Sequence, residues 1–176
     1  MPIDTFTFAD IAEEDLAALS PYIRALIKNL EPVFKKIEPP LLGENSVIVA
    51  VNDESKSFLH IVIEPKNKEI SGLSICARKH GCSLDMFGGE YIESHHDPGW
   101  DFDNLVNKLV STTERYLEGF TIINHYSKNN HLIKKVFYWG AEAEQTKKNK
   151  VGTSWHWFPL LWRTHHTKKK IIRFYK

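Results

Sequence analysis

The stretch that decides the fold runs from Trp100 to Gly140 and reads WDFDNLVNKLVSTTERYLEG, FTIINHY, SKNN and HLIKKVFYWG in succession. Apolar residues recur every three or four positions over residues 102–118, which predicts an amphipathic helix. Asp101 or Asp103 can cap the start of this helix, because a side-chain oxygen there accepts an unpaired backbone N–H. Gly119 can end it in a left-handed conformation.

Two antiparallel strands are predicted after this helix. Residues 120–126 alternate with the two-residue period of a strand and are rich in aromatic and β-branched side chains. Residues 127–130 form a polar turn in which Asn tolerates positive φ, and residues 132–139 return as the second strand. The helix is expected to bury one face against one face of the sheet, at roughly 25 cal/mol per Å² of apolar area.

The rest of the chain predicts an α+β fold built on a mostly antiparallel sheet of about six strands. Apolar residues with helical spacing follow Ser20-Pro21, which predicts a helix that begins there. Pro32 is expected to kink this helix or end it near Leu30. Short strands joined by polar turns then indicate a meander. These strands are predicted at residues 47–51, 58–64, 70–77 and 83–92, the last broken at Gly88-Gly89.

Length and composition predict a single domain with three parts: a helical part, 1–40; the sheet and central helix, 46–140; and a basic, aromatic C-terminal segment, 141–176. No run approaches the roughly 18 apolar residues of a membrane span. The N-terminus lacks the basic and apolar regions of a signal peptide, so we expect a cytoplasmic protein that does not bind membranes. The oligomeric state is left open.

Charge is distributed unevenly along the chain. Residues 134–176 contain 11 Lys or Arg and 2 acids, whereas the other 133 residues contain 12 Lys or Arg and 20 acids. The overall net charge of +1 therefore conceals segments of +9 and −8. Such asymmetry indicates either a charged partner or packing of the basic segment against the acidic part of its own chain.

A metal site is one candidate for chemistry. Cys76, His80 and Cys82 form C-x3-H-x-C across a predicted turn, and His95, His96 and Asp97 follow nearby. Zinc needs four N, S or O donors arranged tetrahedrally, and this spacing is not a recognised structural-zinc pattern. We therefore expect free thiols and turn residues here, and no cofactor.

The loop HHDPGW, residues 95–100, offers an enzymatic alternative. It combines two imidazoles, which titrate near neutrality, with a carboxylate and an aromatic side chain. Asp97-Pro98-Gly99 is also a good turn sequence, so the preferred interpretation is a connection into the helix. The sequence contains no phosphate loop, dinucleotide fingerprint or nucleophile elbow.

The basic C-terminal segment gives a second alternative, a nucleic-acid-binding protein. KKNK, THHTKKK and RFYK interleave cations, which meet phosphates, with aromatic rings, which stack on bases. Nucleic-acid binders usually carry a larger overall positive charge, and the acidic remainder would repel phosphate. Nucleic acid is therefore not the preferred partner.

The helix–strand–strand unit that ends in VFYWG, about a quarter of the chain, resembles the small α+β immunity proteins of bacterial toxin systems, including contact-dependent inhibition. The resemblance implies a non-catalytic cytoplasmic protein that binds a cognate toxin and occludes its active site. If the toxin is a nuclease, acids are expected to face its basic cleft. The expected partner-binding residues are Asp53, Glu54, Glu90, Glu93, Asp97 and Trp100.

Overall fold

A computed structural model describes residues 6–8, 11–53, 56–66, 72–78, 81–86, 89–95, 101–140, 149–155 and 164–174. Its helices are α1 (Glu13–Ala18), α2 (Pro21–Phe34) and α3 (Phe102–Glu118). Its strands are β1 (Val47–Asp53), β2 (Lys56–Ile63), β3 (Leu73–Arg78), β4 (Gly81–Met86), β5 (Gly89–His95), β6 (Phe120–Tyr126), β7 (Leu132–Trp139), β8 (Lys150–Trp155) and β9 (His166–Ile172).

The strands form two antiparallel sheets, which confirms the α+β class and corrects the expectation of a single sheet of about six strands. One sheet has five strands in the order β1-β2-β3-β4-β5, and the other has four in the order β8-β7-β6-β9. β6 pairs along its whole length with β7 on one side and with β9 on the other. It therefore has no edge left to pair with a strand of the five-stranded sheet. The strand predicted at residues 83–92 is two strands in the structure, β4 and β5.

The described part of the chain divides into two compact units, residues 1–114 and 115–176, with the boundary inside α3. The single-domain expectation stays a prediction. No helix among the described residues has both the length and the apolar composition that a membrane crossing requires.

The first unit packs α2 against one face of the five-stranded sheet. Alternate residues of the central strands are buried there, among them Leu59, Ile61 and Ile75, none of which has any exposed surface. Full burial of each such side chain contributes roughly 1.5–3 kcal/mol. The Tyr22 hydroxyl donates to the Gly81 carbonyl oxygen at 2.8 Å, which ties α2 to the start of β4.

Helix α2 continues past the predicted end at Leu30 and stops at Phe34. Pro32 lies within its last turn, where the missing N–H removes one hydrogen bond and leaves the preceding turns intact. Phe34 then packs against the rings of Phe6 and Phe8, with centroids 5.2 and 5.4 Å away. This contact anchors the N-terminal segment to the end of α2.

The helix–strand–strand motif predicted from the sequence crosses the unit boundary, and its last helical turn and both strands belong to the second unit. Asp101 caps α3 by accepting the Asn104 N–H at 3.0 Å, and Gly119 ends the helix with φ of 111°. Tyr116, in the last turn of α3, packs on Phe120 and Phe174, with ring centroids 5.1 and 5.2 Å away. These three rings form the centre of the core of this unit, since none of them has any exposed surface.

Candidate functional site

The face of the five-stranded sheet opposite α2 is the candidate binding surface, and we call it the outer face. Two rows of register partners cross it. The first row runs from β1 to β5 through Val47, Val62, Ser74, Asp85 and Glu90. The second row runs in the same direction through Val49, His60, Cys76, Ser83 and Glu93.

The outer face is apolar at β1 and polar in its centre. At the β1 side Val47 and Val49 keep 42% and 37% of their surface exposed. In the centre, the His60 ring lies 3.1 Å from Ser74, measured from Nε2 to Oγ. Toward β5 the first row reaches half-buried Asp85 on β4 and then the backbone of Glu90.

The predicted acidic residues occupy both edges of this sheet. Asp53 ends β1 opposite Lys56, whereas Glu90 and Glu93 lie on β5. β1 and β5 are four strand spacings apart, roughly 19 Å. The two groups therefore lie at separate edges. Glu54, Asp97 and Trp100 fall outside the described residues.

The two cysteines lie on opposite faces of the sheet. Cys82 pairs with Ala77 on the buried face, and Cys76 pairs with Ser83 on the outer face. Because paired residues share a face, the two sulfurs point away from each other and cannot be ligands of one metal ion. Among the described residues, no three His, Cys, Asp or Glu side chains come together to hold a metal.

The remaining residues of the two histidine hypotheses are not placed. His80 of the zinc pattern and residues 96–100 of the HHDPGW loop lie outside the part of the chain that the structure describes. The backbone of His95 belongs to β5, opposite Gly81. The enzymatic alternative consequently stays a prediction.

The four-stranded sheet carries six lysines: Lys134 and Lys135 on β7, Lys150 on β8, and Lys168, Lys169 and Lys170 on β9. Its edge strand β9 includes Lys168, Lys169 and Lys170, which belong to the basic C-terminal segment recognised in the sequence. The Tyr126 ring stacks on His166 with centroids 5.1 Å apart and planes 7° apart. Lys168 Nζ lies 5.6 Å from the same ring, a cation–π arrangement. Lys168 and the two aromatic rings therefore lie together on the neighbouring strands β6 and β9.

His125 on β6 is a titratable group of this sheet that sequence reasoning left unassigned. Burial of its ring, and then the positive charge of Lys134, lower the pKa of His125 below its usual 6.5. Lys134 is its register partner on β7, and uncharged Thr167 is its partner on β9. The folded protein therefore favours the neutral imidazole.

This shift predicts a loss of stability in mild acid. The unfolded chain binds the proton first, near pH 6.5, so stability falls as pH drops below that value toward the lower folded pKa. Between about pH 7.5 and pH 5.5, the melting temperature of the His125→Gln variant should fall less than that of the wild type. Lys134→Met should give a smaller change in the same direction. An unaltered pH response in His125→Gln would contradict the assignment.

Comparisons with models of known protein families, with curated protein sequences and with solved structures found no match. The resemblance carried by the VFYWG unit accordingly stays a prediction.

Proposed function

We propose that this chain is a non-catalytic protein-binding protein, an immunity protein that neutralises a cognate bacterial toxin. The observation that carries the proposal is the division of charge between the two compact units. Residues 1–114 contain 10 Lys or Arg and 19 acids, whereas residues 115–176 contain 13 and 3, giving formal charges of −9 and +10. Opposite fields on one small protein steer and orient a charged protein partner.

The outer face of the five-stranded sheet supplies the contact in this proposal. Exposed valines at β1 contribute apolar area, and the acidic positions at β5 contribute charge. A toxin that cleaves nucleic acid carries a basic cleft for phosphate, and this acidic side matches such a cleft in sign. Binding over the cleft would exclude the substrate, so inhibition needs no reaction by the immunity protein.

The test uses the product of the open reading frame adjacent to the gene. Binding is measured by titration calorimetry at low and moderate salt, together with growth rescue when both proteins are expressed. Reversal of three acids, Glu90→Lys, Glu93→Lys and Asp97→Lys, should weaken binding at least about tenfold at low salt. As a control on the other sheet, Lys168→Glu with Lys169→Glu should leave the affinity within about threefold.

Two results would count against this proposal. Unchanged affinity of the acid-reversed variant at low salt would reject this surface. Failure of the purified chain to bind the neighbouring product, with no rescue of growth, would reject the assignment as its immunity protein.

A second candidate function, nucleic-acid binding, is favoured by the Tyr126, His166 and Lys168 cluster. Among the described residues of 115–176 there are nine Lys or Arg and one acid, Glu118. A fluorescent single-stranded oligonucleotide should then bind with an affinity that falls steeply with salt. The β9 reversal should abolish that binding. Weak binding with no salt dependence would exclude this second function.

A further inference from the structure

The edge of strand β1 that faces away from β2 has no strand paired with it among the described residues, and we call it the free edge. β1 is the outermost strand of the five-stranded sheet, paired on one side with β2. Across the described ranges, no backbone group outside the sheet is hydrogen-bonded to residues 47–50. An edge of this kind presents a row of N–H and C=O groups that can pair with another extended chain.

A groove lies along this edge. Its volume is about 420 Å³, and Ser46, Val47, Ile48, Val49 and Ala50 form one wall. The other wall includes Phe6, Thr7, Ile11, Ala12 and Asp15. Phe6 is held by its packing on Phe34, so this wall is anchored to the core. At about 3.4 Å per residue, the strand wall is long enough for an extended segment of about five residues.

The groove is acidic on the side of α1. The first turn of α1 consists of Glu13, Glu14 and Asp15, and the helix has no basic residue in its last turn. Asp15 is the one charged side chain among the described lining residues. A segment that enters the groove therefore meets backbone hydrogen-bonding groups on one side and negative charge on the other.

Exposed valines mark the same edge. Val47 and Val49 alternate with Ile48 and Ala50, so both project onto the outer face, where 42% and 37% of their surface is open. An added strand would place alternate apolar side chains beside them, because paired residues share a face. The edge thus combines the three parts of strand addition: backbone groups, apolar neighbours and a charge that selects the partner.

We propose that β1 is a strand-addition site: an extended, basic segment of the partner protein pairs with its free edge and fills the groove beside α1. The segment has apolar side chains at alternate positions and Lys or Arg between them. This inference rests on the proposed protein-binding function and specifies how the partner is held. It adds a contact at the β1 edge, opposite the acidic positions on β5.

The experiment uses the full chain and a synthetic nine-residue peptide, KVTVKVTVK, with EVTVEVTVE as the charge-reversed probe. Binding is measured by fluorescence anisotropy, and amide hydrogen exchange reports on residues 47–51. The basic peptide should bind with at least about tenfold higher affinity than the acidic one and should slow exchange in β1. Asp15→Lys should reduce the affinity for the basic peptide by about tenfold.

The matched control is Glu14→Lys, the same charge change on the same helix at an exposed residue that does not line the groove. It should retain binding within about threefold. Equal effects of Asp15→Lys and Glu14→Lys, or no slowing of exchange in β1, would overturn the proposal. A concentration-dependent dimer dissociated by Val49→Lys would also overturn it, because the occupant would then be a second copy of the chain.

Failure here is separable from failure of the proposed function. If Val49→Lys leaves the complex with the neighbouring gene product intact while reversal of the β5 acids disrupts it, strand addition is wrong and the immunity function stands. If the basic peptide binds at β1 and the gene product does not bind at all, the edge site stands and the immunity function falls.

Discussion

Tyr116→Ala should cost about 3–5 kcal/mol of unfolding free energy, the range for removing a large aromatic side chain from a core. Tyr116 has no exposed surface and contacts the rings of both Phe120 and Phe174. Phe174 is further attached to α3, because its N–H donates to the Leu117 carbonyl oxygen at 3.3 Å. Truncation at residue 116 therefore opens a cavity where α3, β6 and the C-terminal segment with Phe174 meet.

Urea unfolding measures the loss, with amide hydrogen exchange in β6 as a readout specific to residues 115–176. Glu118→Ala, two residues away on an exposed position of the same helix, should change stability by less than about 0.5 kcal/mol. A double-mutant cycle with Phe174→Ala should give a coupling of about 0.5–1.5 kcal/mol. A loss below about 1 kcal/mol in Tyr116→Ala would mean that this ring is not a core residue.

Local periodicity predicted the motif around Tyr116 with its boundaries. The three-and-four spacing of α3 and the alternation of β6 and β7 are strong signals, and each predicted boundary matches the structure. Asp101 and Gly119 also act as predicted at the two ends of α3. These features depend on residues close together in sequence, which is why the sequence alone could predict them.

Long-range pairing could not be predicted in the same way. β9 begins with HTKKK, which has neither alternation nor high strand propensity. It is a strand because its backbone pairs residue by residue with β6, from Tyr126–His166 to Phe120–Ile172. Hydrogen bonding to the edge of β6 outweighs the weak local preference of this segment for a strand. Because β9 occupies that edge, β6 does not join the five-stranded sheet, and the chain forms two sheets.

The candidate binding surface could not be predicted from the sequence for a related reason. VIVAV in β1 is apolar at every position, so its pattern cannot distinguish the buried face from the outer one. The pairing register with β2 shows which residues face which side, since Ile48 lies opposite buried Ile61 and Val49 lies opposite half-buried His60. The free edge and its groove depend on strand order and on the position of α1, which no local motif encodes.

In the native protein, Cys76 should react with a thiol reagent at least about 100-fold faster than Cys82. Cys82 is 5% exposed on the face covered by α2, whereas Cys76 is half-buried on the outer face. Burial, and then the neighbouring Cys76, raise the pKa of Cys82 to about 11. At about pH 8 a thiol of pKa about 11 is roughly a thousandth ionised, so little of the reactive thiolate is present at Cys82.

A colorimetric disulfide reagent at about pH 8 should therefore titrate one thiol promptly in the folded chain and two after denaturation. Cys76→Ser should abolish the prompt reaction, and Cys82→Ala should retain it at the wild-type rate. The same pair of variants tests the argument from sheet faces. Two thiols of equal reactivity in the folded chain, or one zinc ion per chain lost in both variants, would require Cys76 and Cys82 to share a face. The register of β3 with β4 would then be wrong by one residue, and with it the assignment of the outer face on which the binding proposals depend.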